Sequence, residues 1–253
     1  MDNFDYLLKE EELYSLAEQL SQSNNKKRLI TDVSISKIPY VVYPDLDTNL
    51  NLVIHELAEH LLFLAKKDND SNEIAITFNL EDNLKIKEGI EKVLEKVGIC
   101  FGTQNETDLF SDTQTMSIIN RARSIAVINM HNHPSCSSFS VTDISTFLKE
   151  SVVKMMIVIG NNGELYYLSK DKNYNHNKAR RYLTDVGKVI MPEINDSTKA
   201  TVKDLRTVAD IFLKNSSRFG IEYRHILGTN KTLKMFKVED KNENDKENDD
   251  YEY

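Results

Sequence analysis

The sequence predicts an α/β (α+β) fold, a mixed β-sheet flanked by helices. Three observations point to it. Leu50, Val53, Leu57, Leu61 and Leu64 fall on one face of a helix running from about Asn49 to Lys66. Three apolar, β-prone runs follow, at residues 73–80, 124–130 and 152–159. Helical patterns separate these runs, so strands and helices alternate over residues 47–170.

The elements follow in order. Residues 1–46 read as a polar extension with one helix near Glu10–Leu20, then a loop at Ser21–Arg28. Lys67–Asn72 is polar and breaks the helix that precedes it. Glu73–Leu80 reads as a strand, Glu81-Asp82-Asn83 as a turn, and Leu84–Lys87 alternates as a returning strand, which together make a hairpin. Ile90–Val97 reads as helix, Ile99–Gly102 as a short strand, and Ser111–Arg123 as helix. The run before His131 is a buried strand, and Ile144, Phe147 and Leu148 mark a helix after it. Val152–Ile159 is a strongly apolar strand that turns at Gly160–Gly163 and returns over Glu164–Ser169. Helices near His176–Ile190 and Thr201–Asn215 form a C-terminal helical extension, residues 171–238.

Composition narrows the function classes. The chain has 253 residues and two cysteines, Cys100 and Cys136, too few for a disulfide framework. No apolar run approaches the length of a membrane span, and Met1–Asp5 lacks the features of a signal peptide. The expectation is a cytoplasmic protein that does not engage a membrane. Net charge is -8, and Glu239–Tyr253 holds eight acids against two lysines, which reads as a disordered acidic tail. The remaining chain is close to neutral, so composition does not support binding to a nucleic-acid backbone. Lys178-Ala179-Arg180-Arg181 is a local basic patch, and it reads as a solvated helix face.

The chemistry concentrates in His131-Asn132-His133-Pro134-Ser135-Cys136-Ser137-Ser138-Phe139-Ser140-Val141-Thr142-Asp143. Only 6 histidines occur in the chain, and two of them stand here at i, i+2. At a strand end such residues share a side. Asp143 falls in the first turn of the next helix, so two imidazoles and a carboxylate converge. That donor set, with a fourth position open, suits a catalytic zinc. Taken alone, Ser140-x-x-Asp143 is also a capping-box pattern, and Cys136 is a small loop residue.

His131-x-His133-Pro134 followed by Ser140-x-x-Asp143 resembles the JAMM signature of JAB/MPN metallopeptidases. The likeness is nearest to RadC-type bacterial domains, whose motif begins with the same His-Asn-His-Pro-Ser. Phe101-Gly102-Thr103-Gln104-Asn105 resembles their upstream Gly-Thr-x-Asn segment, and Ser-x-Phe-Ser resembles JAB domains found near phage head genes. The resemblance spans roughly residues 47–170. The segment from Pro134 to Ser140 is one residue shorter than the usual pattern, and Cys136 replaces its common glycine.

The resemblance implies a JAB/MPN, cytidine-deaminase-like architecture. It implies Zn²⁺ held by His131, His133 and Asp143, with Ser140 donating to the oxyanion. The substrate would be a protein or peptide, among them ubiquitin-like or phage-related proteins, cut at a peptide or isopeptide bond. A RadC-like accessory role in DNA repair or mobile-element maintenance is the alternative. The general base would be Glu73, which opens a strand just after an amphipathic helix. Glu95 is a rival, because Glu95–Gly102 resembles the eukaryotic-type Glu-x-x-Gly-x-x-x-Gly motif, and Glu88 is another. His55-Glu56-Leu57-Ala58-Glu59-His60 imitates the helical zinc motif but fails on geometry. Its histidines are at i, i+5, about 140° apart around a helix, where i, i+4 is needed.

Overall fold

The computed structural model describes residues 11–17, 26–108, 111–191 and 201–228. The acidic tail, residues 10 and 18–20 of the first expected helix and residues 21–25 of the expected loop lie outside the described residues. Among the described residues, six strands form one mixed sheet in the order β2-β1-β3-β4-β5-β6. They are β1 (Ile74–Asn79), β2 (Gly98–Phe101), β3 (Val127–His133), β4 (Val153–Gly160), β5 (Leu165–Lys170) and β6 (Ile221–Ile226). Only β3 and β4 run parallel; the other neighbours are antiparallel. β1, β3 and β5 are buried along their whole length. Strands covered on both faces read as continuous apolar runs, which is why they stand out in the sequence.

Helices cover both faces of the sheet. On one side lie α2 (Asp32–Ser36), α3 (Thr48–Asp68) and α4 (Ile90–Leu94). Leu57, Leu61 and Leu62 of α3 pack there with Ile76, Met130 and Ile157 from the strands. On the other side lie α1 (residues 11–17), α5 (Thr113–Arg121), α6 (Val141–Lys149), α7 (His176–Ile190) and α8 (Val202–Asn215). Phe147, Leu183 and Phe212 form that second core with Val127 and Val158. Residues 11–17 contribute Leu13 and Leu16 to it. Among the described residues, no helix is long and apolar enough to cross a membrane. Lys178 and Arg181 are exposed on α7 while Ala179 between them is buried, so this stretch is a solvated helix face.

Two expectations fail. The hairpin after β1 does not form: residues 80–82 and 86–88 are short 3₁₀ turns, with Asn83 left-handed between them. Both edges of β1 are already taken, by β2 and β3, so no edge is left for a returning strand. Asn49 on α3 meets the backbone instead, donating to Leu84 O at 2.7 Å and accepting from Ile86 N at 3.3 Å. The segment after residue 171, expected to be helical, also carries β6, which pairs with β5 over Ile221–Ile226.

Close packing fixes α5 against the sheet. A Cβ at Gly98 would lie 2.1 Å from Thr115 Oγ1 and 2.6 Å from the Thr115 backbone nitrogen. Backbone cannot yield as a flexible side chain can. Gly98→Ala is therefore expected to destabilise the fold by about 3 kcal/mol, seen as a lower urea midpoint at unchanged m-value. An unchanged midpoint would mean that α5 does not pack this closely on β2.

Candidate metal centre

β3 ends in His131 and His133. Strand alternation turns both toward the α5–α8 face, and their Nε2 atoms stand 3.1 Å apart. Each Nδ1 faces an oxygen: His131 Nδ1 is 3.4 Å from Asn129 Oδ1, and His133 Nδ1 is 3.0 Å from the Ser137 carbonyl. Those acceptors favour a proton on Nδ1 and leave Nε2 for the centre, as in second-shell support of metal-binding histidines.

The N-terminus of α6 brings the carboxylate. Ser140 caps the helix and forms a capping box with Asp143. Ser140 N and Oγ donate to Asp143 Oδ2 at 2.6 and 2.7 Å, and Asp143 N donates back to Ser140 Oγ at 3.1 Å. The same carboxylate reaches both histidines, with Oδ1 3.3 Å from His131 Nε2 and Oδ2 3.4 Å from His133 Nε2. Capping and convergence on the histidines are thus two functions of one side chain.

Glu73 immediately precedes β1 and is buried. Glu73, His131 and His133 form a group whose ligand atoms all lie within 4.8 Å of one another, and this group could hold a metal ion. The backbone of Glu73 is tied down on both sides. Its N–H donates to Thr103 O at 2.8 Å, and its carbonyl accepts from Gly102 N at 2.9 Å and Asn69 Nδ2 at 2.8 Å. Glu88 and Glu95 are exposed, Glu95 pairing with Lys92 at 2.9 Å. His55 stands 3.6 Å from Glu59 on α3, across the sheet from this centre.

Electrostatics follow from this crowding. Burial pushes the Glu73 carboxyl above its usual range; His131 and His133 pull it down, and Asp143 pushes it up. Burial also raises the cost of charging Asp143, but the two imidazoles outweigh it and hold its carboxyl well below the usual range. For His133, burial opposes the imidazolium, yet Asp143 and then Glu73 outweigh it and raise its pKa to about 9. A proton therefore sits where two nitrogens and two carboxylates converge, which is the chemistry of a cation site.

The shortened loop is anchored at several points. Arg28 N donates to Pro134 O at 2.8 Å, and Ser138 Oγ lies 3.1 Å from Tyr223 Oη on β6. Cys136 is left-handed, with φ 58°, where a glycine would be unstrained. Its Cα packs against Gly160 at the end of β4, and it is not among the described residues grouped so that they could hold a metal ion. Asn129 and Tyr223 were not singled out from the sequence. Continuing the β3 alternation back one step from His131 reaches Asn129; no local pattern marks Tyr223.

The centre opens into a cleft of about 650 Å³. Loop residues 102–108 form one wall, and Val202, Leu205 and Ala209 of α8 form another. No protein-family model matches the chain, and neither the curated proteins nor the solved structures contain a match.

Proposed function

We propose that this chain is a zinc-dependent metallopeptidase or isopeptidase of the JAB/MPN type, nearest to RadC-type domains. The observation that carries the reading is the buried meeting of Glu73, His131 and His133 with Asp143 on a cleft wall. The donor set fits the metal, two imidazole nitrogens and a carboxylate being zinc ligands, with both Nδ1 atoms already engaged elsewhere. His131, His133 and Asp143 would hold it. When bound, zinc would polarise the scissile carbonyl and bring a water's pKa toward neutrality.

The chain's own groups supply the rest. Glu73 takes the proton of the attacking water and passes it to the leaving amine. Its burial beside the histidines keeps it in place. Ser140 gives a hydrogen bond to the oxyanion; since its proton rests on Asp143 Oδ2 at 2.7 Å, that role exchanges one acceptor for another. The cleft accommodates an extended protein segment. Its described lining includes the acids Glu106, Asp108 and Asp210 and one arginine, Arg206, a balance that disfavours the nucleic-acid alternative.

Glu73→Gln tests the reading. Zinc content is expected to stay near one per chain while hydrolysis of a peptide library, followed by mass spectrometry, falls by about 10²- to 10⁴-fold. His131→Ala is expected to lose the metal. Wild-type protein that takes up no zinc, or a Glu73→Gln variant that cuts as before, defeats the assignment.

A further inference from the structure

The residue between the two histidines points away from them. Alternation along β3 places Asn132 on the α3 side of the sheet, fully buried. Its Oδ1 accepts from Ile74 N at 2.7 Å, and its Nδ2 donates to Asn72 O at 3.1 Å and Asn161 Oδ1 at 2.8 Å. Asn161 is also fully buried. Its Nδ2 donates to Arg28 O at 2.7 Å and Ser71 O at 2.9 Å, and its N–H donates to His133 O at 3.2 Å. All four side-chain N–H groups of the two amides are satisfied, and both oxygens accept.

The position of these bonds matters more than their number. The β1–β3 ladder ends at Ala75 opposite His131. Past that point β1 separates from β3, and the stretch around Glu73, bonded to Gly102 and Thr103 on its other edge, has no backbone pairing to β3. Asn132 bonds to the residue on either side of Glu73, at Asn72 O and Ile74 N. One side chain thus replaces the pairing missing on the β3 side, and it is borne by the same three-residue stretch that carries the histidines.

We infer that Asn132, braced by Asn161, is a positioning residue that sets Glu73 against the two histidines. The inference rests on the metal-centre reading for its purpose, although the clamp itself is independent of any metal. Aspartate in place of Asn132 could still accept from Ile74 N, but it would turn an acceptor toward Asn72 O and Asn161 Oδ1, so alanine is the cleaner variant.

Two readouts on the full chain test it. In Asn132→Ala, the Ile74 amide is expected to exchange with solvent at least tenfold faster, while Ile76 and Phe78 in the same strand keep their protection. Hydrolysis is expected to fall about tenfold or more in the wild-type background while zinc stays bound, and to change little further in the Glu73→Gln background. Equal losses in both backgrounds, or an unchanged Ile74 amide, overturn the inference. If Asn132→Ala does not fold, Asn161→Ala is put through the same cycle, with a smaller loss that again vanishes without Glu73. Wild-type protein that binds no zinc defeats the metallopeptidase reading instead, and the clamp is then judged on amide exchange.

Discussion

Zinc is expected to bind about a hundredfold more weakly at pH 7 than on a plateau above pH 9. His133 carries a proton up to about pH 9 in the metal-free protein, and a metal ion must displace it. Below that pKa each pH unit costs about tenfold in apparent affinity. Competition with a chelator of known pH dependence measures this directly. A flat affinity between pH 7 and 9 would show that His133 holds no proton there.

The same proton affects the stability of the metal-free fold. The His133 pKa rises from 6.5 to about 9 on folding, so between those values the folded state binds a proton that the unfolded state does not. The stabilisation is complete below pH 6.5 and disappears as pH rises through 9. It amounts to about 3 kcal/mol.

What could be read in the sequence depended on how local its cause is. β3 and β4 are apolar because both faces are covered, and that is written in consecutive residues. Leu84–Lys87 failed because a four-residue alternation suits either a strand or a pair of tight turns. The choice depended on whether β1 had a free edge, which the competition of β2 and β3 decided. β6 was missed because only Ile221 among its six residues is buried, so an edge strand rich in polar residues gave no periodic signal. The meeting of His131, His133 and Asp143 was legible because thirteen residues span a strand end and a helix cap. Glu73 could be placed only through the helix before it. Tyr223, 85 residues from the loop serine it meets, had nothing nearby to announce it, and Asn132 looked like a spacer until the end of the ladder was visible.

Lys170→Met is expected to stabilise the protein by about 2 kcal/mol at pH 6, with the advantage gone by about pH 8.5. Lys170 is 1% exposed. Its Nζ donates to Glu150 O at 2.9 Å and lies 4.6 Å from the Phe147 ring centre and 4.9 Å from that of Tyr174. The rings and the carbonyl favour the ammonium, but burial dominates and lowers the pKa from 10.5 to about 7, against a smaller opposing pull from Glu150. Between pH 7 and 10.5 the unfolded chain therefore holds a proton that the fold has given up, and stability rises with pH. This is opposite in sign to the His133 effect, and the two windows overlap. The metal-free wild type should lose stability from pH 6.5 to 7 and stay nearly level to pH 9. In Lys170→Met the histidine is unopposed between pH 7 and 9, so stability should fall steadily over that range. Urea midpoints across this range in chelator-treated protein separate the cases, and parallel profiles for the two proteins would show that Lys170 keeps its proton in the fold.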